Sequence, residues 1–157
     1  MIYRRYRFLS AAPNKPPSAR GAGGSERTFQ GIGQDPEPLD KLYRRSIYFI
    51  DKKGIVFRIN EKTRWRGAIL SAWNPASQRR SEIVNRKWDH RLLRALAGHP
   101  AVPMWGGTDV WWERHFWVAN LSLAEAMRIS IILKQKAFIF LDGQHIRLIW
   151  CYTGKIS

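Results

Sequence analysis

A short apolar run, Ala68-Ile-Leu-Ser-Ala72, ends in Trp73-Asn-Pro75 and feeds a long amphipathic stretch. No other part of the chain limits the fold so tightly. The run reads as a buried strand. Pro75 closes it, because proline has no N–H for a ladder and fixes its own φ. Ser77-Gln-Arg-Arg-Ser81 is a polar connection, and a helix is expected over residues 82–97. Side chains of such a turn and the first N–H groups of the next helix point the same way, so a site is expected there.

The helix pattern rests on Val84, Trp88, Leu92 and Leu96 at a spacing of four, widened by Ile83, Leu93 and Ala95. Asn85 and Asp89 are expected beside that stripe, and Arg86, Lys87, Arg91 and Arg94 on the outer face. Gly98 and Pro100 supply the stop.

Elsewhere hairpins dominate. Ser46-Ile-Tyr-Phe-Ile50 and Ile55-Val-Phe-Arg-Ile59 are strand-like runs joined through Gly54. Residues 101–110 read as an irregular connection carrying Pro103 and Gly106-Gly107, with a short extra strand near Val102. Trp111 to Ala119 is a strand. Ser122 and Glu125 have the spacing of a capping box, which opens a second helix running to about Leu133. Ala137 to Leu141 and Gln144 to Tyr152 form a terminal hairpin, for which Asp142-Gly143 predicts a type I′ turn. The expected order is β-β-β-α-β-β-α-β-β. This is an α+β fold, two helices on a largely antiparallel sheet.

At 157 residues one folded domain is expected, over residues 42–157. Residues 1–41 form a basic, Pro/Gly-rich arm with no acidic residue before Glu26. Three readings of the arm stay open: an organellar targeting segment, a segment that orders on nucleic acid, or an ordinary extension. A cytoplasmic location is expected, or an organellar one if the arm is a targeting segment. The single cysteine, Cys151, excludes an internal disulfide. It sits in an apolar run, which favours a packed thiol over a nucleophile. No apolar stretch has the roughly 18 residues that a membrane span needs.

The formal charge is +15. A field of that sign attracts polyanions, so the expected partner is nucleic acid, RNA before DNA, or else an acidic protein. Arg64, Arg66, Arg79, Arg80, Arg86 and Lys87 are the cations expected to meet phosphates, with Trp65 as a ring for base stacking.

A second group of residues falls at element ends: Asn74, Ser77, Asn85, Glu113 and Gln135. Amides and a carboxylate can read a base or a nucleotide by hydrogen bonds, so the alternative to nucleic-acid binding is a nucleotide-binding protein or enzyme using a polar cleft around Asn74 and Glu113. The same residues could equally tie down turns and helix ends. Glu113 and His115 lie two apart on a strand and so face the same side, which makes them the one acid–base candidate. One Cys and four scattered His do not make a zinc set, and no phosphate loop or catalytic-triad signature appears. No cofactor or metal is expected.

Ser71-Ala-Trp-Asn-Pro75 resembles the T-A-x-N-P signature of a bacterial domain-of-unknown-function family. In that family a helix bearing an Asn follows, then a W-x-E strand motif and a Q-x-A step into the final hairpin. Asn85, Trp111-Trp112-Glu113 and Gln135-Lys-Ala137 match in that order, over about residues 66 to 150. Ser71 stands in place of the usual Thr, and His115 follows the W-x-E motif where a Ser is usual. The resemblance implies the fold and the place of a site, without naming a reaction.

Overall fold

The computed structural model describes residues 39–50, 53–108 and 111–151. The basic arm up to residue 38 and the middle of the first hairpin loop lie outside the described residues.

The elements are α1 (Leu39–Arg45), β1 (Ile47–Ile50), β2 (Ile55–Arg58), β3 (Arg66–Leu70), α2 (Glu82–Ala95), β4 (Val102–Thr108), β5 (Trp111–Ala119), α3 (Leu123–Ile132), β6 (Ala137–Asp142) and β7 (Ile146–Trp150). The fold is α+β. All strand pairs are antiparallel, in the spatial order β2-β1-β4-β5-β3-β6-β7. The sheet curls until its two edges meet. The chain leaving β2 bonds to the start of β7, with Asn60 N–H on Ile146 O at 2.8 Å and Ile146 N–H on Glu61 O at 2.9 Å.

The curl gives the sheet two buried faces. Ala68, Leu70, Phe116, Val118 and Phe138 pack outward against Leu92, Leu96, Ala126, Ile129 and Leu133 of the helices. Tyr48, Phe57, Ile69, Met104, Trp117, Ile139 and Leu141 fill the inside of the curl. β3 is central and buried on both sides, which is why its sequence runs apolar without alternation. Burying each large aliphatic side chain here contributes about 1.5–3 kcal/mol.

Four local features differ from the sequence reading. First, residues 102–108 form a full strand. Gly106 lies where a side chain would not fit: a Cβ there would stand 2.5 Å from the Tyr48 ring and 2.8 Å from His115 Cε1. Pro103 is tolerated because β1 pairs only with Trp105 to Gly107 of β4. Second, α1 forms across the expected domain boundary at 41/42, braced by an Asp40–Arg44 ion pair. Third, the first turn of α2 departs from the expected stripe, whose later members Trp88, Leu92 and Leu96 do pack on the core. Asn85 and Leu92 are buried, while Ile83 is 73% and Val84 36% exposed. The first turn of α2 packs on the polar loop after β3 rather than on apolar core, so its inward position holds an amide. Fourth, Gly143 has φ 87° but its neighbours do not share a positive φ. The Asp142 carboxylate accepts from Gln144 N–H and His145 N–H, both at 2.8 Å, so a side-chain cap closes this turn instead of a type I′ pair. At the start of α3 the Ser122–Glu125 capping box forms with both bonds in place.

Candidate functional site

β5 runs from core to solvent along one face of the curl. Trp117 lies in the inner core, His115 sits opposite Met104, and Glu113 sits opposite Gly106. Because side chains repeat every second residue, Glu113 and His115 face the same way. They emerge where the apolar filling stops, and a cleft opens there. It is about 90 Å³ in volume, lined by Leu42 and Tyr43 of α1, Tyr48, Trp73, Asn74, Ser77, Gly106 to Thr108, Glu113, His115 and Gln135. At roughly 10–15 Å³ per water, that is the scale of one small heterocycle.

The loop after β3 forms the opposite wall. Asn74, Ala76 and Ser77 all have left-handed φ, between 49° and 58°. Asn tolerates this region, while Ala and Ser adopt it at a cost. The Asn74 side chain locks the loop. Its Nδ2 donates to Glu113 Oε1 at 2.7 Å, and its Oδ1 accepts from Arg80 N–H at 2.8 Å and Asn85 Nδ2 at 3.1 Å. Asn85 Oδ1 returns a bond by accepting from Asn74 N–H at 2.9 Å. Gln135 reaches in from the end of α3, donating through Nε2 to Trp73 O at 3.1 Å and Leu133 O at 3.4 Å.

Asn74, Ser77, Glu113, His115 and Gln135 therefore meet in one cleft, while Asn85 stands behind it as a brace for Asn74. The sequence reading missed Tyr43, Tyr48, Trp73 and Thr108. Tyr43 and Ser77 share a hydroxyl–hydroxyl bond of 3.3 Å across the cleft. Burial pushes the Tyr43 phenol up to about 12, so it stays protonated. Thr108 Oγ1 is buried with no partner among the described residues. Trp73 is fixed by donating its ring N–H to Asp89 Oδ2 at 3.0 Å and by an edge contact with Trp105. Burial raises the Asp89 carboxyl to about 6, although the Trp73 bond and Arg114 oppose that rise.

His115 Nδ1 lies 3.0 Å from the main-chain oxygen of Glu113. A carbonyl only accepts, so Nδ1 carries the proton. Burial holds the ring's pKa down to about 4, partly offset by that hydrogen bond. The ring is neutral at pH 7, with Nε2 bare. Cys151 is away from the cleft, packed against the helix-side core, and burial pushes its thiol up to about 11. At pH 7 it is not a thiolate nucleophile.

The candidate cations divide into two groups. Arg79, Arg80, Arg86 and Lys87 are exposed on the loop that Asn74 holds and on the first turns of α2, with Arg86 ion-paired to Glu82 at 2.6 Å. Arg66 opens β3 and Arg64 lies two residues before it, so Arg66 is about 13 Å from the strand's cleft end at the usual rise and Arg64 farther. Trp65 packs its ring on Phe57 and Trp117 and caps the inner core, which leaves it a poor stacking platform.

Residues 70–138 match the model of a family described as "Protein of unknown function (DUF3293)". The likeness to a domain-of-unknown-function family thus stands over that stretch. The DUF3293 match holds Asn74, Ser77, Asn85, Glu113, His115 and Gln135, and leaves α1 and β1, with Tyr43 and Tyr48, outside. No curated protein and no solved structure matches the chain. Among the described residues no helix is long and apolar enough to cross a membrane, and no group of three or more His, Cys, Asp or Glu could hold a metal ion.

Proposed function

We propose that the chain is a small, non-enzymatic nucleic-acid-binding protein, RNA before DNA. It seats one unpaired base in the cleft while Arg79, Arg80, Arg86 and Lys87 meet the flanking phosphates. The observation that carries this reading is the cleft residue Asn74, which donates to the Glu113 carboxylate and accepts from the backbone of Arg80 in the exposed basic loop. Arg80 belongs to both parts, since its backbone N–H bonds Asn74. The charge of +15 supplies the long-range attraction. A single strand is favoured over a duplex because a paired base cannot enter a cleft.

Titrating a labelled single-stranded RNA oligomer against salt tests the proposal. Each phosphate contact contributes about 0.7 to the slope of log affinity on log salt for single strands. Replacing Arg79 and Arg80 together by Ala is expected to flatten that slope by about 1.4. Absence of binding at low salt, or an unchanged slope in the double variant, would defeat it.

An acidic protein partner is the second reading. It is favoured by exposed Ile83 and Val84 beside Arg86 and Lys87 on α2. Copurification of a protein that survives nuclease treatment would support it over the first.

A further inference from the structure

Three cations of α2 fall on one line along the helix. Lys87, Arg91 and Arg94 are exposed and lie within about 60° of one another around the axis. Along the axis they stand about 6 and 4.5 Å apart, one to a turn, close to the separation of neighbouring phosphates on a single strand. The two acids of α2 sit on other faces: Glu82 pairs with Arg86, and Asp89 accepts from the Trp73 ring N–H. Exposed Ile83 and Val84 continue the line one turn ahead of Lys87, where they offer apolar surface to a sugar ring or a base face.

The line is fixed in register with the cleft. Ser81 caps α2 by accepting from Val84 N–H, Asn85 exchanges two bonds with Asn74, and Asn74 accepts from Arg80 N–H. The helix therefore starts from the loop that walls the cleft. Arg91 is held as well: its guanidinium carbon lies 4.5 Å from the centre of the half-buried Trp88 ring. That contact restrains the guanidinium and leaves its N–H groups to meet a phosphate. Resting on the base-seating role proposed above, we infer that α2 carries the backbone of the bound strand, with successive phosphates on Lys87, Arg91 and Arg94. The strand leaves the cleft along the helix, and cleft, loop and helix together cover about five nucleotides.

The test titrates the full chain with an all-uridine octamer across a range of salt. Arg91→Ala combined with Arg94→Ala is expected to flatten the slope of log affinity on log salt by about 1.4 and to weaken binding roughly tenfold at low salt. Arg58→Ala combined with Lys62→Ala removes the same charge from exposed positions on and just after β2, and is expected to leave the slope unchanged. Arg91→Lys keeps the charge without the planar fork, so the slope is expected to hold while affinity falls by less than in the Ala pair. Equal flattening by the two Ala pairs would show attraction by net charge alone and overturn the inference. An unchanged slope in the α2 pair, with the Arg79 and Arg80 pair still flattening it, would overturn the inference and leave nucleic-acid binding intact. Failure of the native chain to bind the octamer at low salt would instead overturn the function on which it rests. A glutamate octamer that displaces the RNA as well as unlabelled RNA does would mean that the face takes an acidic peptide, and would also overturn the inference. That competition needs no variant, so its result holds even if a substituted chain folds poorly.

Discussion

Replacing Asn74 by Ala is expected to lower the unfolding free energy by about 4 kcal/mol. The side chain is buried and makes three bonds, one of them to a carboxylate. Truncation strips a partner from Arg80 N–H and from buried Asn85, and each donor left bare costs about 1–3 kcal/mol. It also places Ala at φ 49°, ψ 59°, a left-handed conformation that Asn tolerates better than Ala. Water reaching the cleft offsets part of the sum. Asn85→Ala breaks the same network from the other side. The double variant is therefore expected to cost about 1–3 kcal/mol less than the two single losses added together. Urea unfolding of the four proteins measures this. An Asn74→Ala loss below about 1 kcal/mol, or strict additivity with Asn85→Ala, would mean that the loop is held by its backbone alone.

The same network explains why the cleft was only half legible from sequence. Asn74, Ser77, Glu113, His115 and Gln135 stand out as polar residues at element ends, and local pattern is enough to locate them. Tyr43 and Tyr48 could not be found that way. Tyr43 stands among charged residues that carry no site signal and Tyr48 in an apolar run, and only the pairing of β1 with β4, opposite Gly106, places the Tyr48 ring at the cleft. The full length of β4 was missed for a related reason. Gly106, Gly107 and Pro103 are strand breakers by local propensity. Here the close approach of Tyr48 and His115 across the curl requires a residue without a side chain, so tertiary packing outweighs propensity. The stripe of α2 was read correctly at Trp88, Leu92 and Leu96 and wrongly in its first turn, which packs on a polar loop. The alternative that the amides merely tie down turns is partly realised: Asn85 and the Gln135 nitrogen hold backbone. They act on the cleft by fixing its walls. The capping box at Ser122 and the doubly buried β3 were legible because each depends on a few adjacent residues.

Between pH 4 and 6.5 two buried groups are expected to pull stability in opposite directions, so that removing either exposes the other. The folded-state pKa of His115 falls from 6.5 to about 4. In that window the unfolded chain takes up a proton that the folded chain refuses. The stability His115 contributes is thus full above pH 6.5 and is lost on acidification, an effect of about 3 kcal/mol. Asp89 is the reverse case: its carboxyl rises from 3.8 to about 6. Here the folded chain holds the extra proton, and stability declines as pH rises from 4 to 6. Asp89 is only partly buried, so solvent screening reduces this effect to roughly 2 kcal/mol. Asp89→Asn retains an oxygen for the Trp73 ring N–H and cannot ionise. That variant is expected to gain up to about 2 kcal/mol at pH 7 and to lose stability more steeply in acid than the native protein. His115→Gln is expected to do the opposite, becoming less stable relative to Asp89→Asn as pH rises from 4 to 6. Carboxylates such as Asp142, whose pKa its own hydrogen bonds depress, add an acid-side loss common to all three proteins, which cancels when their curves are subtracted. Chemical unfolding at half-unit pH steps supplies those curves. Parallel curves for all three would show that neither group changes its proton affinity on folding, and that the cleft is wetter than its packing implies.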